Sequence, residues 1–141
     1  MAGRQADGLI LSALDEIAWT LNLRGTDVHC TPVFVAYTWI TPSRCTLYIN
    51  KVKVTEEVST HLEECGVETR NYTDILPDLS RFDGKRIWTD CQTTNYALCR
   101  SLPETCSVVD AASPVSLLKA VKHPAEVEAT AAPCYATAWP W

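Results

Sequence analysis

The chain has 141 residues, 47% of them hydrophobic and 21% charged, and a formal net charge of −5. That length fits one domain and that composition supports a packed core, so a disordered chain is excluded, while the scattered Lys and Arg residues form no stripe that would neutralise nucleic-acid phosphates. No apolar run approaches the ~20 residues that cross a bilayer and the polar start Met1 to Gln5 lacks the apolar centre of a signal peptide, so a cytoplasmic protein with neither a nucleic-acid nor a membrane partner is expected.

The apolar run Gly8 to Ala13 predicts a strand buried on both faces. Asp15 and Glu16 then place carboxylates in a first helical turn, Ile17, Ala18 and Leu21 follow at helical spacing, and Gly25 breaks the pattern. Pro32 to Ile40 and Cys45 to Ile49 are β-rich runs joined by the polar turn Thr41-Pro42-Ser43-Arg44, which reads as an antiparallel hairpin. Thr55 suits an N-cap for a helix with Val58, His61, Leu62 and Cys65 on one face, ending at Gly66. Val67 to Tyr72 alternates as a strand, Asp74 to Leu79 reads as a short helix, and Lys85 to Thr89 is a strand after the Asp83-Gly84 turn. Gln92 to Leu102 is expected to be helical, Cys106 to Asp110 a last strand and Pro114 to Lys122 a last helix. The fold class that follows is α/β, a mixed and mostly parallel β-sheet flanked by helices, with residues 6–122 as the domain and 123–141 as a tail. Beyond Glu128 the Pro and Trp content argues against a continued amphipathic helix.

Chemical motifs are sparse. The five glycines are too dispersed for a phosphate-cradling loop, and there is no Gly-x-Ser-x-Gly to present a nucleophile. The seven cysteines form no Cys-x-x-Cys pair and their number is odd, which points to reduced, mostly buried structural thiols. Only the loop Asn22-Leu23-Arg24-Gly25-Thr26-Asp27 gathers an amide, a guanidinium and a carboxylate, so Asn22, Arg24 and Asp27 are the candidate contact residues for a carboxylate or amide. The plainer reading is an Arg24–Asp27 pair that caps the helix end and fixes the loop, and it is preferred. Trp19, Phe34, Tyr37, Trp39 and Tyr48 could line a groove, but their strand spacing fits core or inter-domain surface better. His29 and His61 read as surface or satisfied histidines.

The run from Asp7-Gly8-Leu9-Ile10 through Ala13-Leu14-Asp15-Glu16-Ile17-Ala18-Trp19, then Leu21-Asn22-Leu23-Arg24-Gly25-Thr26-Asp27 and Thr31-Pro32-Val33-Phe34, resembles the opening of the second domain of three-domain Xaa-Pro aminopeptidases. The resemblance sharpens again at Leu118 to Glu128 and covers roughly residues 6–128. It implies a creatinase/prolidase N-terminal-like domain, with the catalytic and N-terminal domains of the parent enzyme as partners. It implies that the two divalent metal ions, typically Mn²⁺, belong to a catalytic domain beyond Glu128, so no catalytic residue, metal ligand or cofactor is expected in this chain. The expected function is a non-catalytic structural or accessory domain of a metal-dependent aminopeptidase. The alternatives are a stand-alone binding or scaffold protein that reuses the fold, and a small hydrolase. The tail from Ala129 departs from the family pattern, and a frameshift is the expected origin of that departure. Loss of neighbouring domains is expected to bare Trp19, Phe34 and Trp39 and, with the tail aromatics Tyr135, Trp139 and Trp141, to favour a homodimer.

Overall fold

The computed structural model describes residues 2–137, with side-chain surroundings given for residues 3–130. Six strands form one mixed sheet: β1 (Gly8–Leu11), β2 (Ala36–Ile40), β3 (Cys45–Ile49), β4 (Val67–Asn71), β5 (Arg86–Thr89) and β6 (Ser107–Asp110). Their order is β4-β3-β2-β1-β5-β6. The β1/β2 and β2/β3 pairs are antiparallel, whereas β3/β4, β1/β5 and β5/β6 are parallel. The helices are α1 (Leu14–Thr20), α2 (Glu56–Glu64), α3 (Ile75–Leu79), α4 (Tyr96–Ser101), α5 (Pro114–Ala120) and α6 (Pro124–Thr137).

The strand period of two divides the apolar residues between two faces. Leu9, Leu11, Leu47, Ile49 and Val67 turn to one side, where Ile17 and Ala18 of α1, Leu62 of α2 and Val115 of α5 meet them. Ile10, Trp39, Tyr48 and Ile87 turn to the other, under Ile75 and Leu79 of α3 and Leu98 of α4. The sheet is therefore the middle of three layers, and its central strands read as continuous apolar runs because both faces are covered.

Local signals act as expected at several ends. The Thr55 hydroxyl accepts from Val58 N–H at 3.3 Å and caps α2. Gly66 follows at φ +67°, the left-handed position that closes a helix, and its N–H donates to Glu63 O at 2.9 Å. The acidic start of α1 has a tertiary role as well, since Asp15 pairs with Lys119 at 2.5 Å and the buried Glu16 accepts from the Ser116 hydroxyl at 2.5 Å. Both contacts tie α1 to α5.

Three expectations change. The helix expected from Gln92 begins only at Tyr96, because Asp90 O takes the N–H groups of Thr93 and Thr94 in a turn and Asn95 becomes the N-cap, accepting from Leu98 N–H at 3.0 Å. The tail, for which the Pro and Trp content argues against a continued amphipathic helix, is helical: α6 runs to Thr137 across Pro133. Pro124 suits its first turn and Ala125, Ala129, Ala131, Ala132 and Ala136 are the strongest helix formers, so propensity outweighs one proline, although the helix has no apolar stripe. Trp139 and Trp141 lie outside the described residues, as does the Tyr135 side chain. The aromatics expected to be bared are mostly internal, with Phe34 5% and Trp39 7% exposed and Trp19 half-buried. Large exposed apolar side chains lie close together on α5 and just after it, at Leu117 (76%), Leu118 (60%) and Val121 (79%), besides single residues such as Val52 and Tyr96 elsewhere.

The thiols differ too. All six described cysteines are free, but Cys30, Cys65 and Cys91 are exposed and Cys45, Cys99 and Cys106 half-buried. Cys65 follows the last turn of α2 as its C-cap rather than sitting on the apolar face, which explains its exposure. The side chain of Cys134 lies outside the described residues.

Candidate functional site

The loop after α1 borders a cavity of about 370 Å³ between that loop and the start of α2. Leu23, Phe34, Ile49, Val52 and Val58 supply its apolar lining, and Arg24, Thr26, Asp27, Lys53 and Thr55 its polar one. The backbone of this loop is held tightly. Leu23 N–H donates to Ala18 O at 3.0 Å, and Asn22 has a φ of +50°, so the chain leaves the helix through a left-handed residue. A Cβ on Gly25 would lie 2.7 Å from Phe34 Cβ and 3.0 Å from Val33 O, so only glycine allows the loop to approach the segment before β2 so closely.

Of the three candidate residues, two reach the cavity. Arg24 and Asp27 line it, whereas Asn22 is exposed and outside the lining. The expected Arg24–Asp27 pair does not form. Arg24 instead donates through Nη1 to Ala18 O at 3.1 Å and Leu23 O at 2.8 Å, tying the end of α1 to the loop that follows it. Asp27 Oδ2 accepts from Lys53 Nζ at 2.5 Å and from Val35 N–H at 2.7 Å. The Lys53 ammonium and, second, the Val35 N–H hold the Asp27 carboxyl below the ordinary aspartate range. Lys53 escaped sequence reasoning because it lies 26 residues from Asp27, in a 3₁₀ turn over Lys51–Lys53. The one local signal was Asn50, whose side chain accepts from Val52 N–H at 3.1 Å and sets that turn.

This arrangement is suited to binding. An apolar cavity with an ion pair and a guanidinium at its margin can orient an amide or carboxylate. His29 is exposed, and His61 Nε2 sits 3.0 Å from Leu21 O, which agrees with histidines satisfied locally. Among the described residues no group of three or more His, Cys, Asp or Glu side chains is placed to hold a metal ion. Among the described residues no helix is long and apolar enough to cross a membrane.

The three-layer mixed sheet, with helices on both faces, is the architecture of an α/β domain. Residues 1–126 match the family model of the creatinase/prolidase N-terminal domain, and the chain belongs to that family. Among curated proteins it is 38% identical over 133 residues to "Probable Xaa-Pro aminopeptidase P" of Sclerotinia sclerotiorum, a match covering 89% of this chain and 22% of that protein. It is 36% identical over 150 residues to "Aminopeptidase P1" of Arabidopsis thaliana, covering 87% and 23% respectively. The chain thus spans less than a quarter of the length of these relatives. Its fold is similar to part of the X-prolyl aminopeptidase of Caenorhabditis elegans, described as a cytosolic enzyme with a di-nuclear active site, with a TM-score of 0.80 at 22% identity over 90% of this chain and 22% of that one. It is also similar to the creatinase/prolidase-like N-terminal domain of a Corynebacterium diphtheriae metallopeptidase, with a TM-score of 0.54 at 15% identity over 79% and 87% of the two chains.

Proposed function

We propose that this chain is a structural and accessory module of a metal-dependent, cytoplasmic Xaa-Pro aminopeptidase, without catalytic activity of its own. In this reading it is the second, creatinase-like domain of a three-domain enzyme, and its partners are that enzyme's N-terminal and catalytic domains. The observation that carries the reading is the match of residues 1–126 to an N-terminal domain family within relatives of which the chain covers about 22%. The apolar residues Leu117, Leu118 and Val121 support it, because three large exposed apolar side chains close together on α5 and its C-cap suit a contact with another domain. The loop of Arg24 and Asp27 is proposed as a positioning contact toward a neighbouring domain or a peptide, with Asn22 setting the loop's turn rather than reaching the cavity.

The test is an assay for release of the N-terminal residue from Arg-Pro-Pro by the purified chain with added Mn²⁺. No release above a protein-free blank is expected, because a two-metal hydrolysis needs a carboxylate-held ion pair and its bridging water. Release proportional to protein concentration would overturn the reading. Thermal unfolding with and without Mn²⁺ or proline dipeptides gives an independent check, since a ligand raises stability only by binding the native state. Stabilisation by either would favour a stand-alone binding protein.

A further inference from the structure

A second cleft, of about 320 Å³, opens on the opposite face of the sheet. Strand register builds its floor. Trp39, Thr46 and Glu68 stand in one cross-strand row and Tyr37, Tyr48 and Arg70 in the next. Over the centre of the sheet this face is sealed by Ile75 and Leu79 of α3, but toward the β4 edge the cover narrows to Asp78, Arg81 and Phe82. The Trp39 and Phe82 rings pack with centroids 4.6 Å apart and form the apolar wall.

The charged groups of the cleft are unequally occupied. Asp78, whose side chain is 8% exposed, accepts from the Tyr48 hydroxyl at 3.0 Å and from Arg70 Nη1 at 2.7 Å, so it organises the floor and is itself satisfied. Arg44 pairs with Glu68, yet its side chain is 64% exposed, and a guanidinium carries five donors. Arg81 is freer still. Its Nη1 lies 3.7 Å from Asp78 Oδ1, beyond hydrogen-bonding distance, and its side chain is 75% exposed. Three guanidiniums and two carboxylates line the cleft, with Asp74 behind Arg70 at 4.0 Å.

We propose that this cleft is a binding site for a carboxylate carried on an apolar or aromatic group, gripped by Arg81 and Arg44 against the Trp39–Phe82 wall. The fork of donors on a guanidinium matches the two oxygens of a carboxylate. Glu68 and Asp78 repel additional negative charge, so a monoanion is favoured over a phosphate dianion. The free C-terminus of a peptide and a small aromatic acid share this chemistry. The inference does not depend on the proposed accessory role, because it concerns this chain alone.

The test is titration of the full 141-residue chain, followed by ¹H–¹⁵N correlation spectra, with N-acetyl-phenylalanine, its neutral amide, a tripeptide ending in phenylalanine as free acid or amide, and inorganic phosphate. Saturable binding of both acids is expected, with shifts at Arg44 and Arg81, and about tenfold weaker binding of the amides and of phosphate. The acid of one source binding alone identifies that source. Arg81→Ala should weaken binding about tenfold with an unchanged melting temperature, since an exposed side chain without a bonded partner contributes little to stability. Arg44→Gln is the second variant, expected to weaken binding about as much. Equal binding of acid and amide, tighter binding of phosphate, no saturable binding, or full affinity in both variants would overturn the proposal.

Discussion

Gly8 of β1 lies under the indole of Trp39 in β2, so closely that a Cβ on Gly8 would sit 2.1 Å from Trp39 Cη2. The glycine is therefore a packing requirement of the sheet face. Gly8→Ala is expected to destabilise the chain by about 2–3 kcal/mol, because backbone and a buried ring must both shift. Chemical denaturation of Gly8→Ala, Trp39→Leu and the double variant checks this. In the double variant the cost of Gly8→Ala should largely vanish, and strict additivity would contradict the assigned contact.

Thr38 offers the opposite case. It is fully buried in β2 and its hydroxyl has no hydrogen-bond partner among the described residues. Thr38→Val keeps the shape and removes the unsatisfied group, so a gain of about 1 kcal/mol is expected in the denaturation midpoint. A loss would show that the hydroxyl is satisfied in solution.

Asp27 makes the loop at the candidate site acid-sensitive. Its carboxyl is held below the ordinary aspartate value by Lys53 and the Val35 N–H, so the contribution is full above the unfolded-state pKa and is lost as pH falls through the lower folded value. Loosening of residues 22–35 is therefore expected in the range below about pH 4, read as faster amide exchange at Val35. Asp27→Ala should abolish that pH dependence and cost about 1 kcal/mol. Retention of the acid transition in this variant would assign it to another group.

Thiol labelling should separate the exposed cysteines by how far each sulfur is shielded. Cys30, Cys65 and Cys91 are all exposed, but burial of the sulfur first, then Cys99 and Asp110, push the Cys91 thiol up to about 11. Since the thiolate is the nucleophile, Cys91 is expected to alkylate at least about tenfold more slowly than Cys30 at neutral pH, with Cys45, raised to about 11 by burial, slower again. Mass spectrometry of partly labelled protein checks the order. Equal rates at Cys30 and Cys91 would contradict it.

Self-association is expected to run through Leu117, Leu118 and Val121, the exposed apolar residues of α5 and its end. Sedimentation across a range of concentrations should show a dimer that Leu117→Asp with Val121→Asp reverts to monomer. A wild-type chain that stays monomeric at the highest soluble concentration would leave that surface to another domain alone.

By itself the sequence determined the kind and order of the elements as far as α5, because those signals are local. The hairpin could be read from β-rich runs around a Pro-containing turn, although its first strand begins at Ala36 rather than Pro32, and α2 from the Thr55 cap, its periodicity and Gly66. The family could be read as well, since the motif from Asp7 to Asp27 is contiguous in the chain. Only the tertiary structure decided which groups meet. Asp27 takes Lys53 rather than Arg24, because a hairpin folds a residue 26 positions away against the loop while Arg24 turns back to the end of α1. The three arginines of the second cleft come from a turn, a strand and the end of a helix, and no spacing in the chain announces them. Phe34 and Trp39 became core instead of contact surface for the same reason: burial is set by what packs across the sheet, and a strand's alternation says that a side chain has a face without saying what covers it.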